Sequence, residues 1–472
     1  MTEVLLIDPP FPERPWDINW LTQFPPKGLM YLAAYLRENG IDVKILDTKQ
    51  MQFERPSLLR RSIEEICALV KIKIKKEKPR FVGLTSTTIS YLPALKLARA
   101  IKEASPETIV IIGGVHVTHT SEDTLKNDFI DIVVRGEGEK PLLELAKGLP
   151  LENIKGISYK KGSGIIHNEM GEALNEEEIP IPAYDLINMH NYAYVVLMCT
   201  RGCPHRCSFC EVPCTHSNKV RYRPFDKIEK ELELAFSLNK HLEIRLEDEF
   251  LGCNLERAEK ILNLIKQKNV IPFRTATRPD SISDKLLQLL KKANCSNLYI
   301  GMESGSDEVL KFNDRAMTVN KILEIAELCK KNEFMFHSGF ILGLPGETKE
   351  TMNQTLEVAK KCCDASFYTV KKYFDELLDL MPFKLIVENS RAEFNLLSPN
   401  PGTPIAKNPE KFKFKILHKN WELYDCNTIV GLPEGLTSED IMNFKNYAFK
   451  EMQKQMSSYE LPVNWWDIGY KG

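Results

Sequence analysis

The 472-residue sequence contains no stretch approaching the roughly 18 to 20 continuous apolar residues of a membrane span. It also lacks a dominant charge: 63 Lys and Arg stand against 65 Asp and Glu, a formal net charge of -2. That balance gives no global electrostatic case for nucleic acid or for an anionic membrane. The chain starts MTEVLLIDPP, without a basic segment followed by an apolar export signal, and its twelve cysteines are scattered through segments that read as helices and strands. A reducing cytoplasm is therefore the expected compartment. No G-x-G-x-x-G follows the first strand and no Walker loop occurs anywhere. What remains is a chain long enough for two or three domains with full-sized cores. Its one basic run, residues 71–80, reads as the solvated end of a helix.

Three cysteines stand out. Cys203, Cys207 and Cys210 are spaced C-x3-C-x2-C directly after the apolar run 194–198. Three thiolates at that spacing surround one compact centre and supply no evident fourth ligand. A 4Fe-4S cluster takes one thiolate per iron, so three local cysteines leave one iron open to an exchangeable ligand. Zinc is the competing reading, because cysteine clusters are often structural tetrahedral sites. A zinc ribbon needs a second C-x2-C pair, and only Cys214 stands nearby.

Ahead of the cysteines, β-rich runs at 4–7, 43–46, 81–84, 109–112 and 130–134 alternate with segments of helical spacing. This predicts a doubly wound parallel sheet over residues 1–148, with a ligand crevice at the carboxyl ends of its strands. The loops leaving those ends carry Asp8, Pro9, Pro10 and Phe11; Thr85, Ser86, Thr87 and Thr88; Gly113, Gly114 and His116; and Gly136, Glu137 and Gly138. Glycines there let backbone approach a ligand, and hydroxyls offer hydrogen bonds. A nucleotide-binding domain competes with other ligands for this crevice. Residues 149–192 read as a hairpin around 161–164 and an extended connector.

The alternation restarts at 193. Runs at 194–198, 242–246, 271–276, 297–301, 334–342 and 393–397 predict a partial (β/α)6 barrel to residue 404, with its chemistry at the strands' carboxyl ends. There lie the three cysteines, then Glu247, Asp248 and Glu249, then Arg278 and Asp280, then Glu303, Ser304 and Gly305, then Gly343 to Glu347. Taken singly, each charged residue also reads as an ordinary barrel-top salt bridge. Residues 366–391 are an excess over the short connections usual in such units, either a lid, a partner surface or a structural elaboration. Residues 405–472 read as a small, mainly helical tail with a helix around 438–456; Trp465 and Trp466 suit a core or anchor role.

The cysteine triad resembles the radical S-adenosylmethionine (SAM) enzymes, in which the open iron chelates SAM and the reduced cluster cleaves its C–S bond. That resemblance implies Cys203, Cys207 and Cys210 as cluster ligands, Phe209 as the aromatic beside the cofactor, and Cys199 outside the triad. It places SAM contacts at Asp248, Glu303 and Ser304, and the zwitterionic ligand's need for a cation adds Arg278. The sixth-strand segment 394–403 and Trp421 to Asp425 match segments of the same superfamily. The whole first third, including Phe24 to Leu36, resembles the cobalamin-binding domain that precedes many radical SAM cores. Its D-x-H-x-x-G motif is absent, which implies base-off, His-off cobalamin; His116 and His119 fall nearer the cofactor's nucleotide tail.

Together the resemblances imply a cobalamin-dependent radical SAM methyltransferase acting on an unactivated carbon, or on phosphorus. The alternative is oxidative cyclisation or rearrangement without methyl transfer. A third possibility is a cluster-containing regulator without turnover. Also implied are a small-molecule or peptide substrate and an electron donor such as flavodoxin or ferredoxin.

Overall fold

A computed structural model of the chain describes residues 3–12, 24–53, 61–216, 218–248, 251–268, 273–373, 377 and 390–459. Runs of β-branched and other apolar residues form β1 (Val4–Asp8), β2 (Val43–Asp47), β3 (Phe81–Thr85), β4 (Ile109–Gly113) and β5 (Ile132–Val134). These pair in parallel in the order β2-β1-β3-β4-β5. The hairpin around 161–164 is β6 (Ile157–Lys161) and β7 (Gly164–His167), and β6 adds antiparallel to β5. Two cores form, one on each face. Helices Lys27–Glu38 and Glu139–Ala146 close one, and helices Ile63–Glu77 and Tyr91–Ala104 the other. The basic run ends the helix Ile63–Glu77: Ile74 is buried, while Lys71 and Lys73 pair with Glu103 and Glu77 at 2.5 and 2.9 Å.

The second sheet starts with β8 (Tyr194–Leu197). After it comes a short antiparallel ribbon, β9 (Thr200–Arg201) and β10 (Arg221–Tyr222). Then follow β11 (Glu243–Leu246), β12 (Phe273–Thr277), β13 (Cys295–Glu303), β14 (His337–Leu342) and β15 (Ala392–Leu396). The six long strands are parallel and lie in chain order from β8 to β15, and among the described residues these two end strands do not pair with each other. This is the partial barrel. Its helices carry side-chain N-caps at Asn254, Ser283, Thr318 and Thr348, the last as a capping box with Thr351. The helix Lys349–Lys372 runs on into the 366–391 excess, where Phe367 and Val370 are buried and Tyr368 is exposed. Residues 374–376 and 378–389 lie outside the described residues, as do Glu249, Phe250, Trp465 and Trp466.

A small pair, β16 (Phe414–Ile416) and β17 (Gly431–Pro433), and the helix Ser438–Ser457 follow the barrel. Among the described residues no helix is long and apolar enough to cross a membrane.

The two sheets are joined through a buried knot of charge. Glu231 on the helix Phe225–Leu238 accepts from Lys27 of the first unit, and from the Tyr184 hydroxyl at 2.8 Å. Its other oxygen lies 2.8 Å from Arg223, which also donates to the Met198 carbonyl at 2.7 Å. Neither Arg223 nor Glu231 has exposed side chain. The Tyr31 ring lies within 5.3 Å of three cations, Lys27, Arg201 and Arg223. Burial pulls Lys27 down to about 8 even though Glu231 opposes it. Removing the shared carboxylate strands two buried cations. Glu231→Ala is expected to cost about 3–5 kcal/mol of stability, measured by denaturant titration; a loss below about 1 kcal/mol would show that the knot is not what joins the sheets.

Candidate functional site

The carboxyl ends of both sheets meet. A crevice there is lined by Gly83, Thr85, Gly113, Gly114, Gly136 and Gly138 of the first unit and by Arg201 and His216 of the second. Gly114 has φ +108°, and a Cβ at that position would strike the backbone of Ser86. Glycine is what lets the β3 and β4 loops close together here. Pro9 and Pro10 are buried after β1. Thr87 binds its own turn: its N–H donates to the Ser90 hydroxyl at 3.0 Å.

Other residues expected at the crevice have different jobs. His116 is fully buried, tilted on the Tyr91 ring at 4.2 Å and edge-on to Trp421 at 4.8 Å, with Nδ1 3.2 Å from the Thr88 hydroxyl. Burial pushes its pKa down to about 3, so it stays neutral. It does not line the crevice. His119 packs its ring where a Cβ of Gly402 would fall, joining the β4 loop to the Pro-Gly-Thr turn of the barrel. Glu137 does reach the crevice, but both its oxygens are engaged by Arg201, Arg221 and His216.

At the barrel mouth, Cys203 and Cys207 are buried and Cys210 is half-buried. Burial, with the nearby sulfurs of Cys207 and Cys203, pushes the Cys210 thiol up to about 12 despite the Val212 N–H. Such thiols do not ionise unaided; a bound cation removes their protons. Among the described residues no three His, Cys, Asp or Glu side chains converge on a single ion site. Cys199 lies apart in the barrel core.

Around the cysteines the acidic and basic residues divide into holders and open groups. Asp248 is a holder: its Oδ1 accepts the N–H groups of Cys199 and Thr200 at 2.7 and 3.0 Å. Ser304 is buried, its hydroxyl 3.4 Å from that of Thr355 and accepting the Ser306 N–H at 3.2 Å. Arg278 grips Asp280 through Nε and Nη2 at 2.9 and 3.0 Å and turns Nη1 to the Cys207 sulfur at 3.4 Å. Phe209 packs with Val309, Leu344, Leu397, Ile405 and Phe412.

Glu303 ends β13 in the left-handed region at φ +70°, a strained setting for a residue with a side chain. Burial pushes its carboxyl up to about 7 against the pull of Arg278.

Sequence reasoning missed two holders. Asn313 is fully buried; its carbonyl oxygen accepts from Ser208 in the cysteine loop at 2.7 Å, and its amide donates to Val309 and Pro345 carbonyls. Arg315 donates to the Gly301 carbonyl at 2.6 Å and lies 3.4 Å from Glu303 and 3.8 Å from the Cys207 sulfur. Their one sequence signal is a polar Asn-Asp-Arg run between two helices, turned at Asp314 with φ +51°.

Comparison with known proteins agrees with this layout. Residues 197–359 match the model of the radical SAM superfamily and residues 18–146 that of the B12 binding domain. An uncharacterized methyltransferase of Pyrococcus horikoshii is 32% identical over 448 residues, covering 91% of this chain and 87% of its own length. An anaerobic magnesium-protoporphyrin IX monomethyl ester cyclase of Rubrivivax gelatinosus is 26% identical over 379 residues, 76% of this chain and 65% of that protein. The radical SAM methyltransferase TsrM of Kitasatospora setae, solved with cobalamin and a [4Fe-4S] cluster bound, shares the fold: TM-score 0.66, 17% identity, 98% of this chain and 89% of that one. With thiols for a cluster on one unit, a glycine-lined crevice on the other and a relative similar over nearly its whole length, the chain belongs to the cobalamin-binding radical SAM enzymes.

Proposed function

We propose that the enzyme moves a methyl group from SAM by way of cobalamin to an unactivated carbon, or to phosphorus, of its substrate. The observation that carries this reading is the shared crevice: glycines of the first unit's strand ends and Arg201, just ahead of Cys203, line one space. When bound, cobalamin supplies a methyl carrier, and the cluster with SAM supplies a radical at the 5'-carbon.

The chain's own residues bind and orient. Cys203, Cys207 and Cys210 would hold the iron, with Arg278 and Arg315 directed at the Cys207 sulfur. Glu303 is the group suited to the SAM ammonium. Asp248 and Asn313 hold the backbone before the cysteines and the cysteine loop, and Ser304 holds the turn after Glu303. Gly113, Gly114, Gly136 and Gly138 would let the cobalamin tail lie against backbone. A one-electron donor of the flavodoxin or ferredoxin kind and a reducing cytoplasm suit a reaction that starts from a reduced cluster.

A second reading, oxidative cyclisation without methyl transfer, draws on the 26% identity to the cyclase. Mixing SAM with the reduced cobalamin-loaded protein separates the two. Methylcobalamin formation supports methyl transfer; 5'-deoxyadenosine without methylcobalamin supports cyclisation.

Protein reconstituted anaerobically with iron, sulfide and hydroxocobalamin is expected to keep about one cobalt and about four iron per chain after desalting. Four iron without cobalt would leave the first unit unexplained. Cys207→Ala is expected to lose both the cluster and SAM cleavage, and survival of either would sink the cluster assignment.

Glu303 makes SAM binding pH-dependent. Below about pH 7 its carboxyl is neutral and offers no charge to an ammonium group. SAM affinity is therefore expected to rise with pH, by at most about tenfold per unit, from the level of the neutral carboxyl to a plateau above about pH 7. Calorimetric titration checks this, with Glu303→Gln expected to bind weakly and without the slope; an equally flat wild-type profile would take Glu303 out of the site.

A further inference from the structure

Arg201 and Arg221 are directly opposed on the β9–β10 ribbon, so their side chains leave the same face. Two like charges so placed repel unless carboxylates lie between them. Three do. Glu139 accepts from Arg201 at 3.0 Å, Glu137 lies 3.7 Å from Arg201 and is gripped by both terminal nitrogens of Arg221, and Glu176 lies 3.3 Å from Arg221. His216, on the turn beyond the cysteine loop, adds a contact to Glu137 at 3.4 Å. The arginines belong to the barrel unit, Glu137 and Glu139 to the crevice wall, and Glu176 to the connector between them. The group is largely buried: Arg201, Glu137 and Arg221 expose 7%, 12% and 18% of their side chains.

We propose that Glu137, Arg201 and Arg221 form a charge clamp that sets the position of the cobalamin crevice relative to the cluster loop. The path is short and stiff on both sides. Glu137 sits between Gly136 and Gly138, which line the crevice. Arg201 is separated from Cys203 by one glycine, and the strand before it is pinned by the Asp248 carboxylate. Burial alone would raise the Glu137 carboxyl, but His216, Arg221 and Arg201 hold it at about 2, so the clamp stays charged at any physiological pH. Glu137 is a positioning residue: its oxygens are committed to protein and do not hold cofactor. Reactions that pass a group between two bound cofactors lose about a hundredfold for a displacement near 1 Å, which is why such a clamp matters.

The test reads geometry rather than turnover. Cob(II)alamin and the reduced cluster each carry an unpaired spin, and their dipolar coupling in electron paramagnetic resonance reports their separation. Holoprotein carrying Glu137→Gln is expected to retain full cobalt and iron with the wild-type splitting lost or broadened. Arg221→Lys, which keeps the charge but not the two-point grip, is expected to fall between. Unchanged splitting in both variants overturns the clamp, as does absence of coupling in the wild type. Cobalt lost from Glu137→Gln overturns it too, because Glu137 would then be a cofactor ligand. Should Glu137→Gln fail to fold, Arg221→Lys alone decides: altered splitting at full metal content supports the clamp, and unaltered splitting overturns it.

Discussion

Burying Lys27, Arg223 and Glu231 together is the constraint on which the arrangement depends. Each charge alone would cost several kcal/mol to take out of water. They are compensated only when the helix Lys27–Glu38, Tyr184 of the connector and the helix Phe225–Leu238 are all in place. Apolar burial between two units is satisfied by many orientations. A three-charge knot is satisfied by very few, and the one seen here turns the carboxyl ends of both parallel sheets toward each other.

The loops at those ends are then held by polar side chains that spend their hydrogen bonds on protein. Asp248 fixes the backbone before the cysteines, Asn313 accepts both the N–H and the hydroxyl of Ser208 between them, and Arg315 ties Gly301 and Glu303 to the same loop. Such preorganisation matters for an enzyme whose difficult steps belong to its cofactors, because the protein's contribution is placement. Glu303, with its strained backbone and neutral-leaning carboxyl, is the exception among the acids: its surroundings keep it poised.

The strands and the cysteine loop were legible in sequence because periodicity and ligand spacing are local properties. The hairpin at 161–164 was legible as well, though its addition to the first sheet was not. Charge roles were the opposite case. Lys27, Arg201, Arg221 and Glu231 carry no local sign of their roles, since nothing in the neighbouring residues says that a partner sixty to two hundred residues away will bury them. Glu137 and His116 sat beside crevice glycines and so read as cofactor contacts. One is claimed by arginines from the other unit, and the other is covered by Trp421. Ser304 and Asp248 were correctly placed at strand ends, but their hydrogen bonds run inward to the loops.

Trp421 has a consequence for how the molecule is made. His116 belongs to the first unit, and the tryptophan packed edge-on against it follows about three hundred residues later. Domains generally fold as they emerge. This one can assemble its sheet early, yet its outer wall is finished only after the last barrel strand has been made. A nascent chain that stalls inside the barrel therefore exposes an unfinished first domain to proteases and chaperones.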